Sequence, residues 1–145
     1  MASWTAPVYD RAYSDIVNDT AKGVFNASDL NRVEQNMEYL ADAITLDGVT
    51  VVVDTDYTWV YTDSPDVADS VRVISNLDIL LGAITMPTTA PKTPTTLSPM
   101  NWTVANNLEE LTYLVYDLYE GVLYNANLMQ GGVLSMQGGT EGGLI

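Results

Sequence analysis

The side chains best able to do chemistry in this sequence are carboxylates, and they fall into two sets. Asp54, Asp56, Asp63 and Asp66 crowd the stretch DTDYTWVYTDSPD, whereas Glu34, Glu38, Glu109, Glu110 and Glu120 lie in segments of helical apolar spacing. Asp-x-Asp resembles half of a calcium loop, which also needs alternating oxygen donors, a central glycine and a terminal glutamate. Those do not follow at the required spacing, so the aspartates read as a solvated acidic loop. Helix-borne glutamates build a di-iron centre only with Glu-x-x-His partners, and the sequence contains no histidine. Glu34 and Glu38, at i,i+4, read as solvated surface charges that repel mildly. A glycosidase-type carboxylate pair needs a deep cleft, for which 145 residues supply little material.

Other chemistries are removed by composition. Without cysteine there are neither disulfides nor thiolate metal sites, and without histidine the usual general base and commonest metal ligand are missing. No P-loop or G-x-G-x-x-G is present. The expectation is a non-enzymatic chain with no catalytic residue, no metal and no cofactor. Nineteen acidic against five basic residues give a formal charge of -14. That charge repels phosphate backbones and anionic lipid, so neither nucleic acid nor membrane is expected as a partner. MASWTAPVYD lacks the basic and apolar regions of a secretory leader, and apolar runs such as VTVVV are too short to span a bilayer.

The elements that must position these residues follow from periodicity. Residues 1–22 read as an N-terminal arm around Trp4, extended except for a turn or two of helix near Ile16. In a first helix, Leu30, Val33, Met37, Leu40 and Ile44 recur at steps of 3 and 4, a narrow seam of coiled-coil spacing. Ser28 is the expected cap and Asp47–Gly48 the stop. Residues 49–63 are β-branched and aromatic, which predicts a short β-like hairpin, or else an extended loop over the helices. Ser64–Pro65–Asp66 opens a second helix with Val67, Val71, Ile74, Leu77, Leu81 and Ile84 on its seam and Val73 and Leu80 widening it. The Thr/Pro-rich stretch 85–101 is a semi-rigid connector. Thr103 caps a third helix carrying Leu108, Leu111, Val115 and Leu118, which breaks at Gly121 or a little beyond.

The fold class expected is therefore mainly α: a three-helix bundle-like core over 23–124, with extended arms at both ends. The tail 125–145 repeats MQGG at Met129 and Met136 and reads as a glycine-rich docking arm. Tyr57, Trp59 and Tyr61 alternate along 49–63. They would serve as a core or subunit contact or, less simply, as a sugar-stacking platform.

Asn26, Asp29, Leu30, Asn31, Arg32, Val33, Glu34, Asn36, Tyr39 and Leu40 together spell N-x-x-D-L-N-R-V-E-x-N-x-x-Y-L. This resembles a signature of small structural proteins of phages and prophages of Gram-positive hosts, also found in tail- or baseplate-associated modules. The resemblance reaches back to Lys22 and Gly23 and forward through Trp59 to Asn106, Asn107 and Glu109. The second helix and the Thr/Pro connector depart from it. The resemblance implies a virion protein of the tail, baseplate or fibre region, assembled in the host cytoplasm and contacting other virion proteins. A head-surface, collar or head-fibre part is the alternative, and a module binding a host-surface glycan is another. Low surface charge, extended ends and narrow seams predict a homo-oligomer, a trimer before a hexamer.

Overall fold

The computed structural model describes residues 2–97 and 99–131. Among the described residues four α-helices form: α1 (Tyr13–Val17), α2 (Ala27–Leu46), α3 (Val67–Ala83) and α4 (Trp102–Gly131), with a 3-10 turn at Ala21–Gly23. The expectation of three helices and an interhelical hairpin is corrected on both counts. The short α1 is the additional helix, and no strand occurs among the described residues. The chain divides into two units, Met1–Val115 and Tyr116–Ile145; the described part of the second is the continuation of α4 from Tyr116 to Gly131.

Where a hairpin was expected, residues 51–60 do follow the period of a strand. Exposure alternates residue by residue from buried Val51 to exposed Val60. The β-branched side chains favour that extended backbone, but its hydrogen bonds go to helix side chains and not to a second strand. The 3-10 turn sits against α1 so closely that a Cβ on Gly23 would lie 2.6 Å from the Asp15 carbonyl oxygen. Only glycine fits there.

Helix starts are each set two residues away from the expected caps. Asn26, not Ser28, caps α2: its Oδ1 accepts from the Ser28 and Asp29 N–H groups, and Asp29 accepts in return from the Asn26 N–H. Asp66 caps α3 in the same reciprocal way with Asp69. In α4 the Asn101 side chain accepts from the Val104 N–H at 2.9 Å. An acidic third residue supports both reciprocal boxes, because the carboxylate also meets the positive end of the helix dipole. Asp47 and Gly48, the latter at φ +107°, end α2. Helix α4 runs through Gly121, where a break was expected. One glycine costs only about 1 kcal/mol in a helix, and the flanking Val122, Leu123 and Ala126 are compatible with helix.

The core of the first unit gathers the α2 seam Leu30, Val33, Met37, Leu40 and Ile44 with Val73, Leu77 and Leu80 of α3 and Ala105, Leu108, Leu111 and Val115 of α4. Most of these side chains are wholly buried, each contributing roughly 1.5–3 kcal/mol by leaving water. The buried face of α3 is turned from the expected seam. Val67 and Val71 are 79% and 60% exposed, while Ser70 and Asn76 point inward. Ile74 and Leu81 are half-buried, as is Leu118 in the second unit.

Candidate functional site

Two glutamates, Glu34 on α2 and Glu109 on α4, have no solvent exposure. Each accepts four hydrogen bonds, filling the acceptor sites of a carboxylate. Glu109 takes the Val8 N–H at 3.0 Å, Arg11 Nη2 at 2.8 Å, and Arg32 Nε and Nη2 at 2.7 Å each. Glu34 takes the Asp56 N–H at 3.0 Å, the Trp59 indole N–H at 2.7 Å, and both Nη1 and Nη2 of Arg72. Each glutamate thus ties an extended segment to its helix through the backbone and through arginine: Arg72 at Glu34, and both Arg11 and Arg32 at Glu109. Glu38, one turn after Glu34, accepts from the Thr55 and Tyr57 hydroxyls. The reading of Glu34 and Glu38 as solvated surface charges is therefore replaced: the extended segment 54–59 lies over both.

Around Glu109 the charges balance. Arg11 and Arg32 share Asp29 as well as Glu109, at 3.3 and 2.6 Å from the Asp29 carboxylate. Arg11 is 1% exposed at its side chain; it also donates to the Lys22 and Val8 carbonyls and lies over the Phe25 ring. The hydrogen bond to Glu109 is the main reason the Arg32 guanidinium holds its proton more tightly than usual, against a smaller effect of burial. The bond to Glu34 acts likewise on Arg72.

Four asparagines do a second job of the same kind. Asn36 accepts from the Thr5 N–H at 2.9 Å and donates to the Thr5 carbonyl at 2.7 Å. Asn106 does this to Arg11, Asn31 to Trp59 and Asn76 to Asp54. A side-chain amide has the donor and acceptor of a peptide group, so each clamp imitates one rung of an antiparallel ladder. These clamps explain how extended segments are held without a strand partner.

Asn26 caps, Asp29 and Arg32 join the charge cluster, Asn31 and Asn36 clamp opposite flanks, and Glu34 is a hub. Leu30, Val33 and Leu40 are core, and Tyr39 meets the ring of Trp4 at 5.9 Å. Asn107 is half-buried beside the clamp Asn106. Tyr57 and Trp59 have their polar tips engaged by Glu38 and Glu34, while Tyr61 is 92% exposed. Met129 lies in α4, and Met136 lies outside the described residues. Sequence reasoning missed Arg11, Arg72 and Asn76 as functional. Their signal was rarity: three arginines in a chain of five cations, and an asparagine inside a helix seam where its propensity is poor.

One cleft of about 380 Å³ opens beside this network, between the starts of α2 and α3. Phe25, Leu30, Trp59, Val73 and Met100 give it an apolar lining, and Asp63 and Asp66 stand among its lining residues. Among the described residues no cluster of three or more acidic side chains is arranged to hold a metal ion, and no helix is long and apolar enough to cross a membrane. The hub carboxylates are saturated by internal donors, so the network's geometry fixes chain to chain. Comparison with family models, curated proteins and solved structures returns no match.

Proposed function

We propose that the chain is a non-enzymatic phage virion structural protein that assembles as an oligomer and connects or decorates tail, baseplate or fibre components. The observation that carries this reading is the use made of the motif behind the resemblance. Its polar letters Asn26, Asp29, Asn31, Arg32, Glu34 and Asn36 bind the chain's own backbone and charges. A motif so committed holds the chain's own fold, which supports a structural part over an active site. The glycan-platform alternative has less behind it, because Tyr57 and Trp59 have their hydrogen-bonding tips turned to α2.

The test is mass spectrometry and imaging of purified particles of the phage or prophage that encodes the chain. A fixed copy number, with the protein placed by cryo-electron microscopy at the tail, baseplate or fibre attachment, is the expected result. Complete, infectious particles that lack the chain would refute the reading.

A further inference from the structure

Four of the five basic side chains are engaged among the described residues. Arg11, Lys22, Arg32 and Arg72 each form an ion pair, whereas Lys92 forms none among the described residues. Lys92 is exposed and lies between Pro91 and Pro94 in a stretch without helix or strand. The prolines fix φ on both sides. The connector is pinned further on, where the Leu97 N–H donates to Ser70 Oγ at 2.8 Å. Lys92 is therefore a lone positive charge presented on a stiffened segment.

The cleft between α2 and α3 has the complementary character. Its lining combines Trp59, Tyr61 and Phe25 with Asp63 and Asp66, and neither aspartate has a cationic partner among the described residues. Hydrogen bonding from the Asp69 N–H holds the Asp66 carboxyl below the usual carboxylate range. A lysine side chain fits such a site in two parts: its four-carbon stem covers aromatic surface, and its ammonium meets the carboxylates.

We propose that Lys92 of a second copy of this chain occupies the cleft, its ammonium against Asp63 and Asp66. The charge distribution selects this occupant. Arginine pairs take up Asp29, Glu34, Asp69 and Glu109, so most of the formal charge of -14 sits on the other carboxylates. Two such surfaces repel, and Lys22 is held by Asp10. Lys92 is the group on one copy able to make a favourable contact with the acidic rim of another. A knob on one face meeting a socket on a different face is a head-to-tail contact, which closes into a ring when the rotation allows. The inference rests on the oligomer reading above and supplies its contact.

The experiment is analytical ultracentrifugation of the full chain, alone and with Lys92→Glu, Asp63→Lys and both together. Lys92→Glu is expected to weaken association at least about tenfold, because it sets like charges together. The double swap, which restores opposite charges, is expected to recover most of the loss. Since the chain has no cysteine of its own, Lys92→Cys with Tyr61→Cys gives an independent readout. It should form intermolecular disulfides joining successive copies head to tail, even if Asp63→Lys perturbs the fold. An oligomer indifferent to Lys92→Glu overturns this contact and leaves the assembly reading standing. A wild-type chain that stays monomeric overturns both the contact and the homo-oligomer, leaving the particle experiment to decide the virion role. A cleft that binds an added lysine-containing peptide while the copies stay apart also overturns it, in favour of a foreign partner.

Discussion

Replacing Glu109 with glutamine keeps its shape and removes its charge at a fully buried hub that accepts four hydrogen bonds. The new amide would offer an NH2 group to guanidinium donors that now lie 2.7–2.8 Å from its oxygens. Breaking a buried ion pair by removing one partner costs about 3–5 kcal/mol. Two features place Glu109→Gln near the lower end, at about 3 kcal/mol: Asp29 remains to balance Arg11 and Arg32, and Arg32 is 15% exposed and so partly reached by solvent. That is a large part of the roughly 5–15 kcal/mol available to a domain. For a unit of this size it corresponds to a fall in Tm of about 10–20 °C. Urea and thermal unfolding followed by circular dichroism measure it directly. Arg32→Met and Glu109→Gln should also be strongly non-additive, because each breaks the same pair. A cost below about 1 kcal/mol for Glu109→Gln, or simple additivity of the two changes, would refute the coupled network.

Three further outcomes are expected. Asn36→Ala should destabilise by about 1–2 kcal/mol, since it removes two hydrogen bonds whose backbone partners at exposed Thr5 can turn to water; hydrogen exchange should show the Thr5 amide losing protection while the core amides keep theirs. The bond donated by the Tyr57 hydroxyl to Glu38 holds that phenol above its ordinary pKa of 10.0. A Tyr57→Phe difference titration at the phenolate band should place its midpoint higher than this, and Glu38→Gln should bring it down. Asp66, Asp15 and Asp56 are all held below the usual 3.8, chiefly by hydrogen bonds from the Asp69 N–H, the Ala12 N–H and the Thr58 hydroxyl respectively. Their stabilisation is present above that value and lost as pH falls through their lower folded-state values. Amides in the first turn of α3 should therefore lose exchange protection on acidification below about pH 4, and early-turn protection unchanged down to pH 2 would contradict the capping role.

What could be read in the sequence was the part governed by local rules. The Leu30–Ile44 seam announces a buried helix face because only one side of α2 is apolar. In α3, Leu77 belongs to the inner face on either reading, but Val67, Val71, Ile74 and Leu81 compete with Val73 and Leu80 for the rest of it, and local spacing cannot choose between them. The choice is made by distant partners: Asn76 reaches Asp54, and Ser70 reaches the connector. The β-branched run at 49–63 declared an extended backbone but not its partner, so a hairpin looked natural. Glu34 and Glu38 were misread because the i,i+4 repulsion rule assumes solvent on that face. Arg72 and Trp59, 38 and 25 residues away, meet Glu34 there. Arg11 pairs with a glutamate 98 residues distant, which no local window reveals.

The amide clamps have a consequence for how this protein can change. Each grips only the N–H and C=O of the residue it holds, so it is indifferent to that residue's side chain, proline apart. Thr5 and Asp54 could be rewritten freely while Asn36 and Asn76 stay as they are. The outer surface along both extended segments is thus open to revision, for instance to suit a new neighbour, with the helices beneath left untouched.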